Sequence, residues 1–460
     1  MPELYLMRHA KAKQARGDMT DHQRPLSRRG ERQAAAMAQA LRGWNALSGE
    51  ILVSSAQRTR ETLEGVEAQL SETLTERAAF HDTLYTFDKQ PLLEWLRERP
   101  AEVERVLIIG HNPALETLAR WLCRDAPESL PTGGMLHISL PDVPWQLLEK
   151  HSAEQVSRLV PAEASHALFK KQTPKAPDLD EASLSQRILG LLNHYYRRVR
   201  ALEPGVIAGL DPEFLHQYRV NLRRSRAIGE SLQATTKVPG LKKALKRLKR
   251  RAQATSDLRD LDVFLESLRQ TPPPLAEHVR NDLVDWLNAQ AEERHAMLCR
   301  QLAEPDYAED MRRWEDVLAS KKLSKALRKL KSARVEAVLA DRIARHDCDL
   351  GALTLESDDA AFHELRKTVK RIRYLAELDP VRNKAFLAGL KRRQTLLGDL
   401  QDMCTRQAWV QAFIDAAGEA SERRQACADW LAALEAEKQA LREEIIALEP
   451  LARAEESLEH

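Results

Sequence analysis

Two histidines and two arginines stand where loops would leave strands early in the chain. Arg8 and His9 follow the apolar run Leu4–Met7, Arg58 follows Ile51–Ser54, and His111 follows Val106–Ile109. A neutral imidazole attacks phosphorus, and guanidinium forks match phosphate oxygens two at a time. A helix starting near Pro113 would aim its first N–H groups at the same anion. Gathered at one sheet edge, these groups predict a cationic pocket sized for a phosphoryl group.

A second chemistry is written as a repeat. HQYRVNLRRSRA (His216 to Ala227) and HELRKTVKRIRY (His363 to Tyr374) lie 147 residues apart. In each, basic residues follow the histidine at matching offsets: His216, Arg219, Arg223, Arg226 and His363, Arg366, Lys370, Arg373. At 3.6 residues per turn these share one helix face, beside an apolar row formed by Leu215, Tyr218, Leu222 and by Phe362, Leu365, Val369, Ile372. LKRRAQATSDLRDLD (Leu248–Asp262) then matches LKRRQTLLGDLQDMC (Leu390–Cys404), adding Lys249, Arg250, Lys391 and Arg392. The pattern predicts tandem helical units with a shared anion site. A linear polyanion fits closely spaced cations better than nucleic acid does, because only Tyr218 is aromatic within His216–Arg251 and it falls on the apolar row. If His216 and His363 are protonated by a phosphate neighbour, binding strengthens as pH falls toward 6. Asp257, Asp260, Asp399 and Asp402 read as helix caps or salt-bridge partners, and no metal site or cofactor is expected.

The elements that must position these residues are legible from periodicity. Leu4–Met7, Ile51–Ser54, Val106–Ile109 and Met135–Leu140 read as strands, with helices at Gly30–Arg42, Arg58–Gln69, Gln90–Arg99 and Ala114–Cys123 between them. That alternation predicts a multidomain protein beginning with an α/β domain, a largely parallel sheet flanked by helices, over residues 1–164. Residues 165–182 read as a linker. Residues 183–457 read as an all-α domain of two pseudo-symmetric helical bundles, broken at Pro204–Gly205, Pro239–Gly240, Pro272–Pro274, Pro305 and Pro380. Residues 458–460 resemble the start of an expression tag. The chain of 460 residues carries 30% charged and 5% aromatic residues, as helix-rich globular proteins do. Its net charge of +2 hides segregation: His216 to Arg251 holds twelve Lys or Arg and one acid, Glu230. Five scattered cysteines, with no secretory leader and no membrane-spanning run, predict a cytoplasmic protein without membrane partners.

LMRHAKA, RPLSRRG, SSAQRTRET and GHNP, in that order, resemble the histidine phosphatase superfamily, in particular its small SixA-type phosphohistidine phosphatases. The resemblance covers about residues 1–150. It implies that His9 is the nucleophile that becomes phosphohistidine, that Arg8, Arg58 and His111 hold the transferring phosphoryl group, and that Arg24 and Asn112 contact substrate. Larger members supply an acid to the leaving oxygen, whereas Phe80–Tyr85 (FHDTLY) offers only His81 and Asp82, which do not match that motif. A weak acid suits a leaving group that departs easily, such as the imidazole of phosphohistidine. The doubled histidine helices resemble the conserved histidine α-helical domain (CHAD) over about Ser183 to Ala416, which implies two helical bundles around a basic channel that binds inorganic polyphosphate.

The expectation is therefore a phosphatase acting on phosphohistidine or another labile phosphoryl group, joined to a polyphosphate-binding module. A phosphohistidine-bearing protein is the partner expected for the phosphatase. Two alternatives stand beside it: a polyphosphatase using both domains on one chain, and a phosphatase with a nucleic-acid-binding helical domain.

Overall fold

The computed structural model describes residues 1–179, 181–378, 382–416 and 422–452. Pro380, the tag-like 458–460 and the end of the acidic tail lie outside them. The chain divides into two compact units, Met1–Thr173 with Pro204–Phe214, and Pro174–Glu203 with Leu215 onward.

The first unit is built on a six-stranded sheet: β1 (Glu3–Arg8), β2 (Glu50–Ser54), β3 (Ala79–His81), β4 (Arg105–Gly110), β5 (Met135–Ser139) and β6 (Glu154–Leu159), in the order β3-β2-β4-β1-β5-β6. β3, β2, β4 and β1 run parallel, while β5 pairs antiparallel with β1 and β6 antiparallel with β5. The intervening helices are α1 (Arg28–Gly43), α2 (Gln57–Glu67), α3 (Leu74–Arg77), α4 (Lys89–Arg97), α5 (Ala114–Leu122), α6 (Pro161–Ala164) and α7 (His166–Phe169). α7 falls inside the stretch expected as a linker.

Both sheet faces are covered, which is why the central strands read as unbroken apolar runs. Side chains alternate across the sheet. Leu4, Leu6, Val106 and Ile108 pack with Leu93 and Leu96 of α4 and Leu115 and Leu118 of α5. Tyr5, Met7, Ile51, Val53, Leu107 and Ile109 face Met37 and Leu41 of α1 and Leu63 and Val66 of α2. At the start of α1, Ser27 accepts the Gly30 N–H and donates to the Lys11 carbonyl. A Cβ on Gly30 would lie 2.3 Å from that same Lys11 oxygen, so only glycine lets α1 start this close to the chain leaving β1.

The second unit is helical among its described residues: α8 (Leu184–Ala208, whose last turn belongs to the first unit), α9 (Pro212–Thr235), α10 (Leu241–Gln253), α11 (Ser256–Gln270), α12 (Glu277–Ala303), α13 (Pro305–Ala319), α14 (Lys321–Arg328), α15 (Ser332–Gly351), α16 (Asp359–Ala376), α17 (Lys384–Asp415) and α18 (Glu422–Ile446). The apolar rows beside the two basic stripes are buried: Leu215, Tyr218 and Leu222 on α9, Phe362, Leu365, Val369 and Ile372 on α16. A second core joins α11, α12, α17 and α18 through Phe264, Leu283, Phe413 and Trp430.

Three expectations need correction. The sheet gains two unforeseen strands, β3 and β6. No break occurs at Pro204–Gly205, because α8 runs on with Pro204 inside it. Gly205 is there for packing instead, since a Cβ would sit 2.2 Å from the Phe214 ring. The matched LKRR blocks also differ: the first is split between α10 and α11, and the second continues unbroken through α17. At the split the Thr255 hydroxyl bonds the Ala252 carbonyl at 2.7 Å, a position held by Leu397 in the second copy.

Candidate functional site

In the first unit, β1 delivers Arg8 and His9, the start of α2 delivers Arg58, and the end of β4 delivers His111. The His9 backbone is clamped, its N–H on Gly110 O (3.0 Å) and its carbonyl taking the Gly133 N–H (3.1 Å). Thr62 and Gln33 fix the next two residues by accepting the N–H groups of Ala10 (3.0 Å) and Lys11 (2.9 Å).

The tautomers follow from partners. His9 Nδ1 lies 2.7 Å from the Ala10 carbonyl, which only accepts, so Nδ1 carries the proton and Nε2 the lone pair. Burial, with Arg58, Arg8 and Arg24 nearby, lowers the His9 pKa to about 4 despite the carbonyl bond. The imidazole is therefore neutral and nucleophilic at physiological pH. His111 stands 5.1 Å away, ring to ring. Arg58 Nη2 donates to its Nδ1 at 3.3 Å, leaving Nε2–H to donate to Ser54 Oγ at 2.8 Å. Burial, then His9 and Arg58, lower the His111 pKa to about 3.

The arginines differ in how they are held. Arg8 donates from Nη1 to the Leu130 carbonyl (2.8 Å), while its Nε is buried with no partner among the described residues, a donor suited to a phosphoryl oxygen. Arg58 is 3% exposed and donates from Nη2 to Asp21 Oδ2 (2.9 Å) and from Nη1 to the Asp21 carbonyl. Arg24 pairs with the other oxygen of Asp21 at 2.7 Å. Asn112 Nδ2 donates to Glu116 Oε1 and Leu130 O, while its Oδ1 is buried with no partner among the described residues. Asp21, Ser54 and Tyr85 escaped the sequence reading. The Asp21 to Arg24 spacing of three residues was the signal available for one of them.

In the second unit the stripes of α9 and α16 meet. Lys370 lies within electrostatic reach of Arg366, Arg223 and Arg219, with Asp402 opposing; burial first and then these three arginines lower its ammonium pKa to about 7. Arg219 is tethered, its Nη1 donating to Ala252 O, Thr255 Oγ1 and Ser256 Oγ. Arg223 Nε and Arg366 Nε are buried without partners among the described residues. Asp260 and Asp402 lie beside this group, and burial raises both carboxyl pKa values against the pull of Arg219 and Arg366. The outer members of the stripes are paired internally: Arg226 with Glu230 (3.1 Å) and Arg373 with Glu377 (2.7 Å). His363 Nδ1 bonds Gln401 Oε1. His216 lies on α9 at the head of the first stripe.

Two of the predicted LKRR cations have carboxylate partners. Arg250 joins Arg247 and Arg251 on Asp310, and Arg392 faces Glu444 at 4.0 Å. Arg251 and Arg393, the fourth basic positions of the two blocks, are 7% and 6% exposed and structural, Arg393 donating to the Glu449 carbonyl. Lys249 and Lys391 are exposed. Among the described residues no group of three or more metal-ligating side chains is assembled, and no helix is long and apolar enough to cross a membrane.

Comparison with known proteins agrees with this division. The family model of the histidine phosphatase superfamily (branch 1) matches residues 4–105, and that of the CHAD domain matches residues 190–411. An uncharacterized protein of Mycobacterium leprae is 34% identical over 169 residues, 34% of this chain and 99% of that protein. The solved structure of the protein histidine phosphatase SixA complexed with tungstate is 24% identical, covering 35% of this chain and 99% of that one, with a TM-score of 0.30. The CHAD domain from the plant Ricinus communis is 22% identical over 60% of this chain and 96% of its own, with a TM-score of 0.50, a likeness of fold. The chain belongs to the histidine phosphatase superfamily through its first unit, a phosphatase domain, and carries a CHAD domain in its second.

Proposed function

We propose that the first unit hydrolyses phosphohistidine or a comparably labile phosphoryl compound, and that the second binds inorganic polyphosphate. The observation carrying the first half is the fixed His9 tautomer, with its Nε2 lone pair free beside Arg8, Arg58 and His111. Nε2 forms a bond to phosphorus as the bond to the leaving group breaks, and Nδ1–H stays on the Ala10 carbonyl to steady the resulting imidazolium. Water then attacks phosphorus, the Nε2 bond breaks, and inorganic phosphate leaves with the proton shed to solvent. The arginines neutralise the phosphoryl oxygens throughout. His81 packs against Trp95, ring centres 6.3 Å apart, and serves no evident acid role, so a leaving group needing little protonation fits this pocket best.

The second half is supported by the convergence of Arg219, Arg223, Arg366 and Lys370 from two repeat helices, with the guanidinium Nε atoms of Arg223 and Arg366 buried and unpartnered among the described residues. Cations this closely placed destabilise one another until an anion arrives.

A phosphorus NMR time course of long-chain polyphosphate and of phosphohistidine, with wild type, His9→Ala and the double variant Arg223→Glu/Lys370→Glu, tests both halves. Phosphohistidine should be consumed by wild type and not by His9→Ala, while polyphosphate signals broaden with both and not with the double variant. Free phosphate released from polyphosphate by wild type alone would instead identify a polyphosphatase.

A further inference from the structure

Phosphoryl chemistry alone does not account for one wall of the first unit's pocket. Asp21 places a carboxylate among cations: Oδ2 accepts from Arg58 Nη2 (2.9 Å) and Tyr85 OH (2.8 Å), and Oδ1 accepts from Arg24 Nη1 (2.7 Å). Its loop is tied down. The Arg24 N–H reaches the Asp21 carbonyl (3.4 Å), the Gln57 N–H reaches the His22 carbonyl (3.0 Å), and His22 Nε2 meets Ser55 Oγ (2.9 Å). Burial opposes ionisation, but Arg24, Tyr85 and Arg58 outweigh it and hold the carboxyl well below the usual carboxylate range. An ionised carboxylate repels phosphoryl oxygens, so a pocket serving phosphate alone would do better without it. A carboxylate has about four acceptor positions. Among the described residues three are taken, and with the side chain 47% exposed the fourth is open to a donor.

Beside it stand aromatic rings. Tyr85 meets His111 edge-on at 5.3 Å and His22 at 4.9 Å, and Phe87 lies 5.8 Å from His111 and 5.7 Å from Tyr85. Phe87 is 50% exposed, an apolar face left uncovered at the edge of a polar pocket. Flat apolar surface next to an ionised carboxylate, in contact with a phosphoryl-holding histidine, suits a planar group that carries an N–H.

We infer that Asp21, Tyr85 and Phe87 form a leaving-group subsite for a protonated imidazole ring, the side chain of a phosphohistidine. The inference rests on the phosphatase reading above and names what that site selects. In ring-protonated phosphoimidazole the nitrogen remote from phosphorus carries the proton. As His9 Nε2 forms its bond to phosphorus, the old P–N pair returns to the ring, which departs as neutral imidazole with its remote N–H already in place. No proton has to be delivered. Asp21 accepts that N–H and favours the reactive, protonated form, while Tyr85 and Phe87 cover the ring. An alcohol offers neither the ring nor the charge, and it leaves needing a proton that Asp21 does not hold.

The test compares kcat/KM on phosphoimidazole and acetyl phosphate, which share a phosphoryl group and differ in leaving group, for wild type, D21N and F87A. Damage to Arg58 geometry lowers both constants together and cancels in their ratio. The phosphoimidazole to acetyl phosphate ratio should fall by about tenfold or more in D21N, the size of one hydrogen bond to a charged group, and by several-fold in F87A, whose exposed ring is dispensable to the core. An unchanged ratio in both variants overturns the subsite and leaves Asp21 as a support for Arg58. A ratio that rises in D21N overturns it too, marking the carboxylate as a competitor for the arginines. Wild type that turns over acetyl phosphate but not phosphoimidazole fails before any variant is made. That result would sink the phosphohistidine reading itself.

Discussion

Lys370 offers the sharpest quantitative test of the helical unit. Its ammonium, buried against Arg366, Arg223 and Arg219, has a pKa of about 7 in place of the ordinary 10.5. A bound phosphate chain restores the protonated form, so binding above that pKa takes up a proton and weakens as pH rises. With a free-state pKa of about 7, binding should take up about 0.1 proton at pH 6, 0.5 at pH 7 and 0.9 at pH 8. Integrated from pH 6 to 8, that is roughly a tenfold loss of affinity, about 1.4 kcal/mol. Below pH 6 Lys370 is already charged and this contribution vanishes. Calorimetric titration with polyphosphate at constant ionic strength, in buffers of different ionisation enthalpy, reads the proton count directly. Lys370→Arg keeps the charge and removes the titration. The variant should bind with the same affinity at pH 7 and pH 8. If Lys370→Arg and wild type show the same slope and proton uptake between pH 7 and 8, the cationic cluster is not where the chain binds.

Other consequences are equally direct. Because His9 and His111 are held neutral by pKa values of about 4 and 3, kcat/KM on acetyl phosphate should stay flat from about pH 5.5 to 8. An acid limb with a midpoint near the ordinary histidine value would contradict the burial of both rings. Asp310→Ala leaves Arg251 buried without its carboxylate and should destabilise the helical unit by about 3 kcal/mol or more, read as a drop in its urea midpoint; an unchanged midpoint would mean that Arg251 relaxes to water. Gly30→Ala forces a Cβ against the Lys11 carbonyl, so stability should fall by about 1–3 kcal/mol and turnover should fall with it. Wild-type Tm and kcat in this variant would show that the close approach of α1 to the nucleophile's strand is dispensable.

The sequence disclosed what depends on local pattern and concealed what depends on placement. β1, β2 and β4 are buried on both faces, and that burial is itself the apolar run that announces them. β6 alternates between exposed and half-covered residues, with Leu159 its one buried side chain, so nothing in EQVSRL marks a strand. β3 is three residues, Ala79 exposed and Phe80 and His81 partly covered, held by pairing with β2. His9, Arg58 and His111 were legible because the proposed nucleophile and phosphate clamp call for those residue types at strand ends. Asp21 and Tyr85 were not, since their roles come from being brought together across 64 residues of chain. Within FHDTLY the titratable His81 and Asp82 are the residues the pattern offers, whereas Tyr85 is the one that reaches Asp21 and His111. Of the LKRR cations, Arg250 pairs with Asp310 and Arg392 faces Glu444, partners that a helical pattern does not reveal because they come from other helices.

The two repeat helices are not equivalent, and the difference has a consequence for any linear anion lying across them. A polyphosphate chain reads the same from either end, so direction has to come from the protein. Where the first stripe has the guanidinium of Arg223, the second has the ammonium of Lys370. Where the first anchors Arg219 on hydroxyls supplied by a helix break, the second runs straight through as α17. If the proposed polyphosphate chain lies across both stripes, raising the pH above 7 would remove the Lys370 charge on α16 and loosen the chain from that side first.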